Sequence, residues 1–383
     1  MNPAALILTC LVLAHGQHTD AFANPRSPLF GHGQCVCPPS SRENMPSICS
    51  YTSPSTPASS TSLPRASSSS STPASPAPRK GFLGLLDKVN PLKFREFGVG
   101  NELKDGIAAF YDESTGIWEE VWGDHLHHGY YYTGKEKDHQ KAQLDMIEES
   151  LRFSGIGVAE ESEIKRVVDV GCGIGGSSRY LARKFGAQVR GITLSPFQCR
   201  RAQALTHKSG LEDSAKFEVA DALAMPFSEK SFDLVWSMES GEHMPDKRRF
   251  VKELVRVAAP GGRVIIVTWC HRNLKPEERL TRFERGLLKL INSIYFLPPW
   301  VSMDAYVALA QEEGLTEIKT ADWTRQVKPF WPAVLRSCLN LKSIKVLLTS
   351  STVRKGALAI LYMMLGYSTG LIRFGVITGR KPK

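Results

Sequence analysis

The chain has 383 residues, 42% of them apolar and 22% charged, with a formal net charge of +10. That balance belongs to a soluble globular class, long enough for two average domains or for one α/β domain with extensions. The positive excess comes without an RNP pattern, zinc spacing or Lys/Arg block, so it describes a general basic surface and excludes a dedicated nucleic-acid reader.

The first 23 residues hold an apolar run, P-A-A-L-I-L-T-C-L-V-L-A, too short to span a bilayer but suited to a signal-peptide core. A Ser/Pro/Thr-rich tract over 24–80 follows, with Glu43 its only acid after Asp20. Such a tract cannot bury enough apolar surface to offset the entropy of ordering, and its acid-poor, Ser-rich composition is that of a plastid transit region. Signal core followed by transit tract forms a bipartite leader that directs the chain to a plastid. Residues 81–102 mix apolar and basic side chains and are read as a linker that packs on the domain or makes peripheral contact with a membrane surface. Cys10, Cys35, Cys37 and Cys49 fall in this leader, while Cys172, Cys199, Cys270 and Cys338 are scattered through the rest. Scattered single cysteines are reduced core or turn residues, and no metal site is expected.

The folded domain is expected over 103–383. Trp118 and Trp122 lead into W-G-D-H-L-H-H-G-Y-Y-Y, where three histidines and three tyrosines form a polar lid over a binding site. A helix over about 139–151 precedes R-V-V-D-V-G-C-G-I-G-G-S-S-R-Y. Its β-branched run is a buried central strand, and the glycines that follow let a ligand approach the main chain next to a helix N-terminus. G-x-G-x-x-G alone suits a nicotinamide dinucleotide; Asp169 two residues before Gly171 shifts the balance, because D-x-G-x-G-x-G resembles the first motif of S-adenosylmethionine-dependent methyltransferases. The next strand, 188–192, ends in G-I-T-L-S-P-F-Q with Thr193 where an acid would bind ribose, which further disfavours NAD. A third strand over 217–219 ends at Asp221, a carboxylate placed to accept the adenine amine. A fourth, 232–236, ends in S-M-E-S-G-E-H-M-P-D. A helix over 247–258, an A-P-G-G turn and a strand over 263–269 complete the alternation. This rhythm gives an α/β, doubly wound Rossmann-like sheet with ligands at its C-terminal edge and an antiparallel last strand. Two helices are expected between residues 275 and 294 and one over 303–312. Strands at 315–323 and 370–378 bracket a helical insert over 332–366 that caps an apolar guest.

With these segments in hand the chain resembles γ-tocopherol methyltransferases. The resemblance rests on G-I-A-A-F-Y-D, W-E-E-V-W-G-D-H-L-H-H-G, D-V-G-C-G-I-G-G-S-S-R-Y-L-A, W-S-M-E-S-G-E-H-M-P-D-K, V-T-W-C-H-R-N-L and K-P-F-W-P-A-V. It implies methyl transfer from S-adenosyl-L-methionine, leaving S-adenosyl-L-homocysteine, to the chromanol ring carbon of γ- or δ-tocopherol, a small prenylated phenol. The resemblance also implies that Thr193 to Gln198 binds the donor, that Tyr111 touches its amino-acid end, and that Glu242 and His243 form an acid/base segment. The donor site is expected to comprise Tyr111, Asp169, Val170, Gly171, Cys172, Gly173, Gly175, Gly176, Thr193, Leu194, Gln198, Asp221, Ala222 and Met238. The phenol base is expected to be His243 or Glu242, with Glu239 drawing the sulfonium into place and His271 in reserve. The sequence sets no oligomeric state.

Overall fold

The computed structural model describes residues 138–337 and 351–383 throughout and, before them, residues 104, 106–108, 111–112, 115–116, 119, 122–134 and 136. The leader segments 1–23, 24–80 and 81–102 lie outside the described residues. The described positions from Lys104 to Trp122 are helical. Then come α1 (His139–Phe153), α2 (Val158–Glu161), β1 (Arg166–Val170), α3 (Gly176–Phe185), β2 (Gln188–Thr193), α4 (Pro196–Lys208), β3 (Ala215–Val219) and β4 (Phe232–Met238). The second half holds α5 (Lys247–Val257), β5 (Ala258–His271), α6 (Arg282–Tyr295), α7 (Met303–Glu312), β6 (Thr316–Asp322), α8 (Thr324–Val327), α9 (Phe330–Ser337), α10 (Ser351–Ser368) and β7 (Ile372–Arg380).

The strands form one seven-stranded sheet in the order β3-β2-β1-β4-β5-β7-β6. The first five are mutually parallel, and β7 runs antiparallel to both β5 and β6, as the sequence led us to expect of the last strand. Successive valines on β1 point to opposite faces, as strand pleating requires. Val167 joins a core with Leu181, Phe185 and Trp236, whereas Val168 and Val170 join another with Phe250, Leu254 and Ile266. The helices start where short polar side chains cap orphan amides: Asp138 on Lys141 N, Ser195 on Gln198 N with Pro196 in the first turn, and Asp246 on Arg249 N.

One expectation about the elements changes. Between residues 275 and 294 there is one helix, α6, instead of two. Thr281 and Glu284 form its capping box, and Arg272 ties the preceding stretch down through Glu278 and Glu284 at 2.7 Å each, so 273–280 is a braced loop. Beyond the minimal sheet, α6 and the described parts of α9 and α10 build a third apolar cluster with Leu287, Ile291, Tyr295, Trp300, Trp331 and Met363, which includes Ile372 of β7 and packs against Trp269 of β5. No described helix is long and apolar enough to cross a membrane.

Candidate active site

The turns that leave β1, β2, β3 and β4 at their C-terminal ends surround one cleft of about 1010 Å³, part of it open to solvent. Its lining includes Asp169, Gly171, Cys172, Gly173 and Gly176 after β1, Thr193, Leu194 and Gln198 after β2, and Asp221 and Ala222 after β3. Met238, Glu239, Ser240 and His243 contribute from the end of β4, Tyr111 from the N-terminal helical segment, and Asp124, His125, Leu126 and His127 from the loop above. The topological switch between β1 and β4 thus concentrates these turns in one place.

The turn after β1 is built by close packing. Gly171 has φ +83°, and a Cβ there would stand 2.3 Å from the Cβ of Ser240. Ser240 is locked beneath it, its hydroxyl 2.6 Å from the Val170 carbonyl oxygen, to which it donates, and 2.8 Å from Ser237 Oγ. The amides of Gly171 and Cys172 both donate to Ile192 O at 2.9 Å, which joins the first two turns of the site. Asp169 is buried and accepts from Ser178 Oγ at 2.6 Å; burial raises its carboxyl to about 7.

Val170 and Gly175 do not line the cleft, contrary to expectation. Val170 points the other way from Asp169, into the core of the opposite face. Gly175, at φ +78°, gives the chain room under the Phe217 ring, 2.6 Å from where a Cβ would lie, and so serves the turn and not the ligand. Thr193 and Gln198 do reach the cleft, but their side chains bond to each other at 2.9 Å, and Gln198 donates to Thr115 Oγ1 at 3.3 Å. Asp221 accepts from Leu223 N at 2.9 Å and pairs with Lys104 Nζ at 2.5 Å.

A second, smaller cavity, about 460 Å³ with the open solvent it includes, adjoins the first and shares Tyr111, Leu126, Glu239 and His243 with it. Its remaining lining is Trp122, His128, Glu242, Trp269, Tyr295 and Trp331, so its walls are largely aromatic, with one carboxylate and one imidazole, Glu239 and His243, at the junction with the cleft. Of these residues the sequence reading had named Glu242 as a candidate base and placed Trp122 and His128 at the lid, but had given no site role to Trp269, Tyr295 or Trp331. Trp269 sits at the end of β5, Tyr295 ends α6 and Trp331 lies in α9, and no local motif marks residues so far apart in the chain as one surface.

At the junction, Tyr111 Oη and His243 Nε2 are 2.8 Å apart, and burial pushes the phenol up, with Glu242 and Glu239 adding to it. His243 is pushed down to about 3 by burial first and the Lys247 charge second. Glu242 is buried, accepts from Thr268 Oγ1 at 2.7 Å, and is raised to about 8 by burial and then by Glu239. Lys247, given no site role by the sequence reading, holds this turn together. Its buried ammonium donates to the carbonyls of Gly241 and Glu242 at 2.9 Å and of Met244 at 2.6 Å. Glu239 has φ +52°, a strained backbone for a residue with a Cβ. His128 grips its carboxylate twice, through the backbone N at 2.6 Å and Nδ1 at 2.5 Å.

His271 lines neither cavity. It lies two residues, or about 7 Å of strand, beyond Trp269. There its Nδ1 is 2.7 Å from Arg272 O and its backbone N donates to Val301 O. The reserve base is thus engaged outside both cavities. Among the described residues no group of His, Cys, Asp and Glu is arranged to hold a metal ion.

A family model described as a methyltransferase domain matches residues 168–266, the span from β1 to β5. A chloroplastic tocopherol O-methyltransferase of Arabidopsis thaliana is 57% identical over 288 residues, covering 73% of this chain and 83% of the relative. The chain belongs to the tocopherol methyltransferase family. Methyltransferases of other names match at lower identity. A 2-methyl-6-phytyl-1,4-hydroquinone methyltransferase of Synechocystis is 37% identical over 72% of this chain and 88% of its own. A norajmaline N-methyltransferase of Rauvolfia serpentina is 37% identical over 74% and 99%. Among solved structures, a geranyl diphosphate C-methyltransferase of Streptomyces coelicolor superposes with a TM-score of 0.58 at 20% identity, covering 74% of this chain and all of that one, which shows the fold.

The enzyme is therefore an S-adenosylmethionine-dependent methyltransferase, and the larger cleft has the chemistry such a donor needs. Its carboxylates Asp169, Asp221 and Glu239 suit an ammonium, an adenine amine and a sulfonium. His125 Nδ1 and His127 Nε2 are buried beside the cleft without a hydrogen-bond partner among the described residues, which leaves them free for a ligand's polar atoms.

Proposed function

We propose that this enzyme methylates the chromanol ring carbon of γ-tocopherol, and of δ-tocopherol, to give α- and β-tocopherol within a plastid. One observation carries the reading: a small aromatic cavity adjoins the donor cleft and shares four lining residues with it. Flat walls from Trp122, Trp269, Tyr295 and Trp331 suit a bicyclic phenol, and the apolar roof of α6, α9 and α10 suits its prenyl tail. The chloroplastic relative at 57% identity supports both substrate and compartment, and the leader composition agrees with the compartment. Weak contact with the membrane that holds such a lipid belongs to the same reading.

The bound donor supplies an electrophilic methyl group on a sulfonium. The chain's own residues have to align the acceptor and release its electrons. A phenol titrates near 10, so forming phenolate at pH 7 to 8 costs roughly 3 to 4 kcal/mol, within reach of one positioned base. Glu239 and the Tyr111–His243 pair stand where both cavities meet and orient the two reactants there. Glu242 and His243 suit the base role less well than their motif implies. Burial keeps the Glu242 carboxyl protonated near neutral pH, whereas His243, at about 3, holds a proton too weakly.

The test incubates the purified enzyme with donor labelled at the methyl carbon and a panel of γ-tocopherol, δ-tocopherol, 2-methyl-6-phytyl-1,4-hydroquinone and norajmaline. Carbon NMR should place the label on the chromanol ring. A clear preference for the hydroquinone or the alkaloid nitrogen would refute the assignment.

A further inference from the structure

The H-L-H-H loop brings His128 into the aromatic cavity, and His128 has one ring nitrogen in use and one open. Nδ1 lies 2.5 Å from Glu239 Oε2, and the backbone N of the same residue donates to Oε1 at 2.6 Å. Two bonds from one residue to one carboxylate fix the ring's position and its tautomer, with the proton on Nδ1. Nε2 is buried and has no hydrogen-bond partner among the described residues. A buried imidazole nitrogen left open inside a cavity costs free energy unless a ligand satisfies it. The ring is enclosed by Phe330 at 4.3 Å, Trp331 at 4.9 Å, Phe374 at 5.6 Å and Trp269 at 5.7 Å between centroids. Such surroundings exclude water and leave the cavity as the direction from which a polar partner can come.

We propose that His128 is a catalytic residue: Glu239 holds its Nδ1–H, and its Nε2 takes the phenol proton of an acceptor seated in the aromatic cavity. This rests on the acceptor reading given above. The phenol O–H breaks as an N–H forms on Nε2, and the Glu239 carboxylate stands beside the imidazolium charge thus created. The phenolate pair flows into the ring, and the ring carbon bonds to the methyl carbon as the methyl–sulfur bond breaks, its electron pair remaining on sulfur. The resulting neutral dienone loses the proton from that carbon to solvent, while the imidazolium returns its own proton to the oxygen. One methyl is gained and one proton released, and His128 ends as it began. Glu239 is a positioning residue in this scheme, acting through the imidazole, which gives a reason for tolerating its strained φ of +52°.

The test compares wild type with His128→Asn and His128→Gln. Asparagine keeps an amide N–H where Nδ1 stands, so the Glu239 contact survives while the open nitrogen is lost. With γ-tocopherol as acceptor, kcat should fall roughly 100- to 10,000-fold in both variants. Calorimetry should find donor affinity within about threefold of wild type. A kcat within about threefold of wild type, or a loss of kcat matched by a loss of donor affinity, overturns the proposal. A second measurement needs no variant. In nitrogen-15-histidine-labelled wild type holding S-adenosylhomocysteine, adding γ-tocopherol should shift the His128 Nε2 resonance, and an unmoved resonance overturns the proposal. Wild type that turns over none of the chromanols removes the acceptor reading itself, whereas active wild type with equally active variants removes only the base.

Discussion

Replacing Glu242 by Gln should make the protein's stability less sensitive to pH between about 5 and 8. The carboxyl is 3% exposed and accepts a hydrogen bond from Thr268, which a glutamine oxygen can accept as well. Burial, followed by the Glu239 charge, raises it from 4.5 to about 8. Over that window the folded protein holds a proton on Glu242 that the unfolded chain has released. Stability from this group is thus fully present below 4.5 and is lost as pH rises through 8. At about 1.4 kcal/mol per pH unit over the window, the loss is at most about 5 kcal/mol. Asp169, raised to about 7 by its own burial, adds a slope of the same sign, but equally in both proteins, so the difference between them isolates Glu242. Unfolding free energies from denaturant titrations at pH 5, 6, 7 and 8 provide the assay. The two proteins should be close at pH 5, and Glu242→Gln should be the more stable by several kcal/mol at pH 8. Parallel curves, or a gap that opens in favour of wild type, would refute the reasoning.

Two further predictions concern the donor cleft. Gly171→Ala must place a Cβ 2.3 Å from that of Ser240 at φ +83°, so it should destabilise the fold by about 2 to 4 kcal/mol and weaken donor binding by displacing the turn after β4; an unchanged melting temperature together with unchanged donor affinity would contradict this. Asp221 is paired with Lys104 where the adenine amine is expected, so Lys104→Met should tighten donor binding several-fold, and Asp221→Ala should weaken it about 10- to 100-fold. Calorimetry reads both, and equal affinities in all three proteins would take adenine recognition away from Asp221.

Much of the local structure is decided within a few neighbouring residues. Val167, Val168 and Val170 make a strand because stiff β-branched side chains fit a buried pleat, and Ser195-Pro196 starts α4 because one caps an amide while the other needs none. The Asp169 to Gly176 motif and the Glu239 to His243 motif are legible because each is a short run of chemically distinctive residues. What the tertiary structure decided is which polar atoms meet. β7 inserts between β5 and β6, an order that chain succession does not encode. His128 meets Glu239 across 111 residues, and Tyr111 meets His243 across 132. The same packing separates the motif residues that reach the cleft, such as Gly173, from Val170 and Gly175, which serve the core and the turn. It also buries the motif imidazole His243 beside Lys247, which pushes it down, and sets the loop imidazole of His128 against the Glu239 carboxylate. Sterics and periodicity act over a few residues, and so can be read from the chain; desolvation and the pairing of charges depend on neighbours that only the folded sheet brings together.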